Sequence, residues 1–525
     1  MPEALVVAPQ SEVVEIAAGV LRDGGNAFDA AVAGGFAQGV VDSHRSGIGG
    51  FGVALYFVPA EGRPGVLSFH GRAGSKVKED QWAEALQGPA PDGFGFIIRG
   101  KENDVGYKSI TVPGVVAGLG ALHRKYGSLP WGDLVRRAAA LARRGFLVRP
   151  HLAAFWRRPG LFGRVSTRDR LAYTEEGRRM WLRCGEPPAE GETVQLELLA
   201  QTYERLAEAG PDDFYTGRLA KRIAEDLERN GSFITAQDLA SYRVRWEEPV
   251  SGSFGSWRIF STPLPGGGTA LLQALRLCEM KGAFELRLNS LRYVDLLARV
   301  FSVVQDDRVR FHSDPAFGGK TAEELLSDLY LESVFKRWPE EVGADSPDTT
   351  VLHVVDRWGN AVALCHSLGY GSGVFTPGLG FMYNNCMSGF DPRPGRANSI
   401  KPGKARSTAI AQTMVFDGQR PFLLLGSPGG ARITAALAQV ISNVCIFGLE
   451  IQDAVCRPRF DAYRRTLLLD SRMPSTVEEQ LADQWEVRRS TVPFGIVGRV
   501  YGIAFTDRGL RPGYDPGEPG TAEEV

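Results

Sequence analysis

The chain has 525 residues, 43% hydrophobic and 23% charged, with 60 Lys and Arg against 61 Asp and Glu. That balance argues against a basic patch for nucleic acid or acidic lipid, and without an 18-residue apolar run no transmembrane helix is expected. The length suits two to four domains or one large α/β fold, and six cysteines without C-x-x-C or zinc spacing read as free thiols, with neither metal nor cofactor expected.

The first twenty residues carry Glu3, Glu12 and Glu15 and no early Lys or Arg. This is unlike a secretory signal, and a cytoplasmic protein is expected. Residues 11–23 have helical spacing and stop at Gly24-Gly25, and Asn26 caps a second helix rich in small residues. The glycine loop SHRSGIGGFG (43–52) leads into the strand VALYFV and lacks the spacing of a phosphate-binding loop. Residues 109–144 read as a turn and two helices, 145–190 as an Arg- and Pro-rich surface excursion, and 191–245 as mostly helical. Strands, a glycine turn at 265–268 and a helix follow, then a charged helical stretch at 287–345. From 349 the texture changes to short strands and turns: a hairpin at 351–367, FMYNN, TAIAQTMVF and PFLLLGS, then a helix in ARITAALAQVISNVCIFG. No repeat period appears, and the pattern predicts a layered α/β fold with an antiparallel core.

Chemistry enters at PDTTVLHVV, where Thr349 and Thr350 open the hairpin. Two β-branched residues suit a strand without further purpose. The functional alternative is that Thr349 becomes a chain terminus after cleavage of Asp348–Thr349. Its own α-amine, with a reference pKa of about 7.7–8.0, would then serve as base for its hydroxyl. Gly429-Gly430 in LLLGSPGGARI joins a strand to a helix, where outward backbone N–H groups can stabilise an oxyanion. Arg72, Ser407 and Thr408 can hold a carboxylate.

Four ordered stretches then carry a resemblance over nearly the whole chain: DGGNAFDAAVAGGFAQGVVDSHRSGIGGFG (23–52), ITVPGVVAGLGALHRKYGSLPW (110–131), DTTVLHVVDRWGNAVAL (348–364), and YNNCMSGF with LLLGSPGGARI (383–390, 423–433). The sequence resembles the γ-glutamyltranspeptidase family of N-terminal nucleophile hydrolases. The resemblance implies a four-layer αββα sandwich and a proenzyme that cuts itself into a large piece, 1–348, and a small piece, 349–525, beginning with the nucleophile Thr349. It implies Gly429 and Gly430 as the oxyanion hole, Ser367 as a hydroxyl supporting Thr349, and Arg72, Ser407 and Thr408 as the grip on a donor carboxylate.

The departures from the family pattern matter as much. SLGYGSG is two residues shorter than the usual loop, Gly369 stands where an asparagine is common, and Val351 replaces a histidine. The acids that hold a donor's α-ammonium are missing from FTPGLGFM and NNCMSGF, around Gly378 and at Ser388 or Gly389. A buried unpaired ammonium costs roughly several kcal/mol, so the expected donor carries a carboxylate without that amine, and glutathione is a poor substrate. The resemblance leaves open amide hydrolysis, or carbon–carbon cleavage as in 4-alkylproline antibiotic biosynthesis. Alternatives are a true γ-glutamyl transferase or glutathione hydrolase, an unprocessed binding homologue, and a nucleotide-dependent enzyme. His44, His353 and His366 are read as structural, Asn384 and Asn385 as braces, and Asp104, Asp306 and Asp307 receive no role.

Overall fold

The computed structural model describes residues 3–90, 95–160, 163–337, 349–494, 498–518 and 520–525. Asp348 lies outside them, as does the end of the charged stretch at 287–345. In chain order the strands of the two large sheets are β1 (Leu5–Ala8), β2 (Phe51–Phe57), β3 (Pro64–Phe69), β4 (Arg245–Glu247), β5 (Val250–Phe254), β6 (Trp257–Ser261), β7 (Thr350–Val355), β8 (Ala361–Ser367), β9 (Thr413–Asp417), β10 (Arg420–Gly426), β11 (Tyr501–Thr506), β12 (Gly509–Tyr514) and β13 (Thr521–Glu524). One sheet has the order β13-β1-β7-β8-β2-β3-β4 and the other β12-β11-β10-β9-β6-β5, antiparallel throughout.

Helices cover the outer faces. On the first sheet lie α1 (Ser11–Arg22), α2 (Ala27–Val41), α3 (Val115–Tyr126), α4 (Trp131–Arg144) and α5 (Glu197–Ala209), sharing one apolar cluster with Ala54, Leu67, Leu352 and Leu364. On the second lie α6 (Gly268–Met280), α7 (Leu291–Phe311) and α8 (Ile433–Cys445), packed with Ile259, Val415, Leu423 and Leu425. Between the sheets a third cluster interleaves Val53, Leu55, Val351 and Cys365 with Met414, Phe416, Leu424 and Ile503. Period-two alternation along each strand assigns neighbours to opposite clusters. The result is the expected four-layer αββα sandwich.

Local chemistry explains the central layers. Helix α2 begins with a capping box, in which Asn26 accepts from the N–H of Phe28 and Asp29 while Asp29 accepts from the N–H of Asn26. Every residue of α2 is buried, and its small residues let the sheet approach: a Cβ on Gly34 would stand 2.5 Å from Leu352 Cδ2. Such overpacking costs about 1–3 kcal/mol. The β7–β8 hairpin turns at Asp356, whose Oδ1 accepts from the N–H groups of Trp358 and Asn360 at 2.9 and 3.0 Å. Its Oδ2 accepts from Ala27 N–H at the start of α2 at 2.9 Å, an acid placed against the helix dipole.

Three expectations need correction. Residues 145–190 are more than a surface excursion: they form helices at Pro150–Trp156, Thr167–Leu171 and Glu175–Trp181, and Trp156 packs edge-on against Trp181 inside the first apolar cluster. The arginine-rich composition hid this, because two tryptophans anchor the segment. FMYNN makes isolated bridges through Met382 and Tyr383 and forms no strand, and in TAIAQTMVF only Thr413–Asp417 is a strand. Among the described residues no helix is long and apolar enough to cross a membrane, and no group of three or more His, Cys, Asp or Glu could hold a metal.

Burial pushes His70, His312, His353 and His366 down to about 3. Each is neutral when folded, and each gains a proton on unfolding once the pH drops below the ordinary 6.5. Because the unfolded state then binds more protons, stability present above that pH is lost as pH falls toward the folded value. The melting temperature is expected to decline continuously from about pH 6.5 to 4, one such histidine contributing a slope of about 1.4 kcal/mol per pH unit. A melting temperature that holds level or rises over that interval contradicts this account.

Candidate active site

Alternation decides which threonine matters. Val351 and Val355 of β7 face the layer between the sheets, so Thr349, one step before the strand, faces it too. Thr350 points the other way: its Oγ1 accepts from Gln10 Nε2 and from Gln38 Nε2, both at 3.0 Å. Gln38 Nε2 also donates to Val351 O at 2.8 Å, and Gln38 Oε1 lies 2.9 Å from His366 Nε2. Thr350 is thus held from behind, while Thr349 opens into a cavity of about 280 Å3.

The register Thr350↔His366 puts Ser367 on the same face at the end of β8. Thr349 Oγ1 stands 3.5 Å from Ser367 Oγ, which accepts from Gly369 N–H at 2.9 Å. Both residues line the cavity and are buried, Thr349 being 6% exposed. The second sheet supplies the opposite wall. Gly430 lines it from the turn between β10 and α8, and Ser407 and Thr408 line it from the segment leading to β9. Gly429 has φ 142° and Gly430 φ 51°, so the turn demands glycine at the first and favours it at the second. Gly429 packs beside the cavity rather than in its lining: a Cβ there would stand 2.8 Å from Gly498 Cα.

Arg72, like Gly429, is not among the residues that line the cavity. Its backbone bridges Val112 and Ala405, while its guanidinium sits 5.9 Å from the Tyr242 ring. Burial lowers its pKa, as does Arg245, with Tyr242, Asp314 and Glu247 opposing. Asp314 pairs with Arg245 Nη1 at 2.9 Å and accepts from Ala405 N–H at 3.1 Å, so this cluster braces the segment carrying Ser407 and Thr408.

Among the described residues the arginines in the lining are Arg308, Arg393, Arg406 and Arg464, accompanied by one acid, Asp391. Sequence reasoning had passed over all five. Arg393 grips Asp391 with two hydrogen bonds of 2.9 and 2.7 Å. Arg406 lies 4.9 Å over the Phe51 ring and donates to Ser407 O at 3.0 Å. A Cβ on Gly389 would stand 2.5 Å from Arg406 Cδ, so the absence of a side chain there leaves room for the arginine. Gly378 and Ser388 are outside the lining; Gly378 N–H donates to Glu176 at 3.2 Å, and Ser388 Oγ to Asn385 O at 2.8 Å.

None of His44, His353 and His366 lines the cavity. Asn384 and Asn385 do brace the neighbouring loops: Asn384 Oδ1 accepts from Thr111 Oγ1 at 2.8 Å, and Asn385 Oδ1 from Tyr370 N–H at 2.9 Å. Asp104 has a structural place the sequence did not suggest, pairing with Arg164 and Arg170 behind the same loop.

A gamma-glutamyltranspeptidase family model matches residues 14–525. The glutathione hydrolase proenzyme of Pseudomonas aeruginosa is 32% identical over 480 residues, 86% of this chain and 82% of the relative. The acylase ACY 1 proenzyme of Pseudomonas sp. V22 is 32% identical over 515 residues, 94% of this chain and 88% of the relative. Among solved structures, the cephalosporin acylase from Bacillus halodurans superposes with a TM-score of 0.86 at 26% identity, covering 99% of this chain and 96% of that one.

Gln38 provides a test of the site's rear support. Gln38→Leu strips a buried hydrogen-bond partner from His366 Nε2, Thr350 Oγ1 and Val351 O. We expect roughly 2–4 kcal/mol of lost stability, read from the urea midpoint. A midpoint matching the unsubstituted protein would show that the contacts hold nothing.

Proposed function

This chain is an enzyme that belongs to the gamma-glutamyltranspeptidase family of N-terminal nucleophile hydrolases, and we propose that it is a self-processing acylase acting through Thr349 on a carboxylate-bearing amide. The observation that carries this reading is the meeting of the Thr349 and Ser367 hydroxyls, 3.5 Å apart, in a cavity also lined by Gly430.

In the proposed maturation, Thr349 Oγ1 attacks the carbonyl of Asp348 and displaces the Thr349 nitrogen. Water opens the resulting ester, leaving an Asp348 carboxylate and a free amine on Thr349. In turnover that amine takes the proton of Oγ1, directly or through one water, as Oγ1 bonds to the donor's acyl carbon. Ser367 Oγ orients the attacking oxygen. The tetrahedral oxyanion rests in this proposal on the N–H of Gly430, which lines the cavity, with Gly429 shaping the turn that presents it. As the C–N bond breaks, the ammonium returns its proton to the leaving amine. Water then attacks the ester, releases the acid and restores Thr349.

Donor class follows from charge. Among the described residues the lining has four arginines to one aspartate, and that aspartate is already paired with Arg393. Such a wall favours a carboxylate and disfavours an α-ammonium. The carboxylate grip expected of Arg72 passes in this proposal to Arg406, with Ser407 and Thr408 beside it. Two relatives named as a hydrolase and an acylase support amide cleavage as the reaction type.

Intact mass measurement is expected to find two fragments split before Thr349, and Thr349→Ala to remain one chain with activity lower by at least about 10^3-fold. An uncut protein whose Thr349→Ala form keeps full activity defeats the proposal. Removing the donor's α-amine is expected to raise kcat/KM: glutaryl-p-nitroanilide should exceed γ-glutamyl-p-nitroanilide by about tenfold or more. Equal or reversed rates would restore the ammonium-binding reading and make glutathione a candidate donor.

A further inference from the structure

We propose that the cavity holds two anionic groups at once, the second received by Arg308, so that the natural acyl donor is doubly negative. The inference rests on the proposed carboxylate donor and adds a second acid to it.

Arg308 sits in the last turn of α7, 9% exposed, and lines the cavity that contains Thr349. Its one side-chain hydrogen bond among the described residues runs from Nε to the neutral Gln305 Oε1, at 3.1 Å. The acids beside it in sequence are engaged elsewhere. Asp307 accepts from Gln273 at 2.9 Å, Tyr330 at 2.8 Å and Arg337 at 2.6 Å, and Asp306 pairs with Arg310 at 2.8 Å. Asp391 is held by Arg393. A buried guanidinium whose partner is an amide oxygen is costly unless an anion comes to it.

A second observation points the same way. Ser407 Oγ is buried, lines the cavity and has no hydrogen-bond partner among the described residues. A hydroxyl donor and two guanidinium-bearing residues line one cavity, a set of donors suited to carboxylates. Burial, and after it the charge of Arg406, pushes the Arg308 pKa down to about 10, and both arginines line the same cavity. One carboxylate compensates one of them. A donor with acids at two positions compensates both, and about 280 Å3 holds a short diacid skeleton.

Binding of glutarate, butyrate and glutaramide to the full-length enzyme, measured by calorimetry at one ionic strength, tests this without requiring turnover. Glutarate is expected to bind about tenfold tighter than butyrate, and glutaramide weakest. Arg308→Gln should bring glutarate and butyrate within about threefold, while Arg308→Lys keeps part of the preference. Equal affinities in the unsubstituted enzyme overturn the proposal whichever variants fold, as does a full preference retained by a folded Arg308→Gln. A cut, active enzyme with equal affinities removes the second anion and leaves the Thr349 chemistry intact. Selective glutarate binding by an uncut, inactive chain keeps the anion pair and removes that chemistry.

Discussion

A β-strand shows alternate residues to opposite faces, and in the β7–β8 hairpin this alternation separates two chemically identical neighbours. Thr350 meets Gln10 and Gln38 on the helix side, whereas Thr349 meets Ser367 and the cavity. A slip of one residue would exchange them and drive every apolar side chain of the hairpin to the wrong layer. The register is therefore guarded by the packing of the whole sandwich: Leu352 and Leu364 belong to one cluster, Val351 and Cys365 to another. The glycines of α2 close the rear of the same strands, so precision at one hydroxyl derives from contacts spread through two layers.

The cavity lies at one end of that sandwich, where strand ends and connecting segments meet. Thr349 and Ser367 come from the first sheet, Gly430 from the end of a strand of the second, Ser407 and Thr408 from a segment braced by Asp314, and Arg308 from a helix of the outer layer. Rigid elements thus hold the reacting groups, while the charged wall is assembled from segments that sequence variation can alter at lower structural cost. The Gly389–Arg406 contact is an example: with no side chain at 389, Arg406 Cδ occupies space that a Cβ would claim.

The sequence made visible what is local. Helix caps at Asn26, the hairpin, the glycine turn at 429–430 and the candidate nucleophile all follow from short-range patterns, and the four ordered stretches led to the layered architecture. Side-chain direction was harder to see. Arg72 reads in the sequence as a carboxylate clamp; its guanidinium sits 5.9 Å from the Tyr242 ring, and it is not among the residues that line the cavity. Arg308 draws no reading at all: it lies beside Asp306 and Asp307 in sequence, but consecutive residues on a helix do not face one another, and both acids pair with other groups. Tryptophans 156 and 181 similarly turned a polar-looking stretch into part of the core.

The contact between the hairpin turn and α2 has a consequence for maturation. Asp356 lies after the proposed cut and Ala27 before it, joined by a buried hydrogen bond, and β7 remains paired with β1 of the large piece on one edge. Scission would therefore change the number of molecules without changing the cooperative unit. The two polypeptides would share one melting transition, and dilution alone would not part them, since separation requires dismantling a continuous sheet.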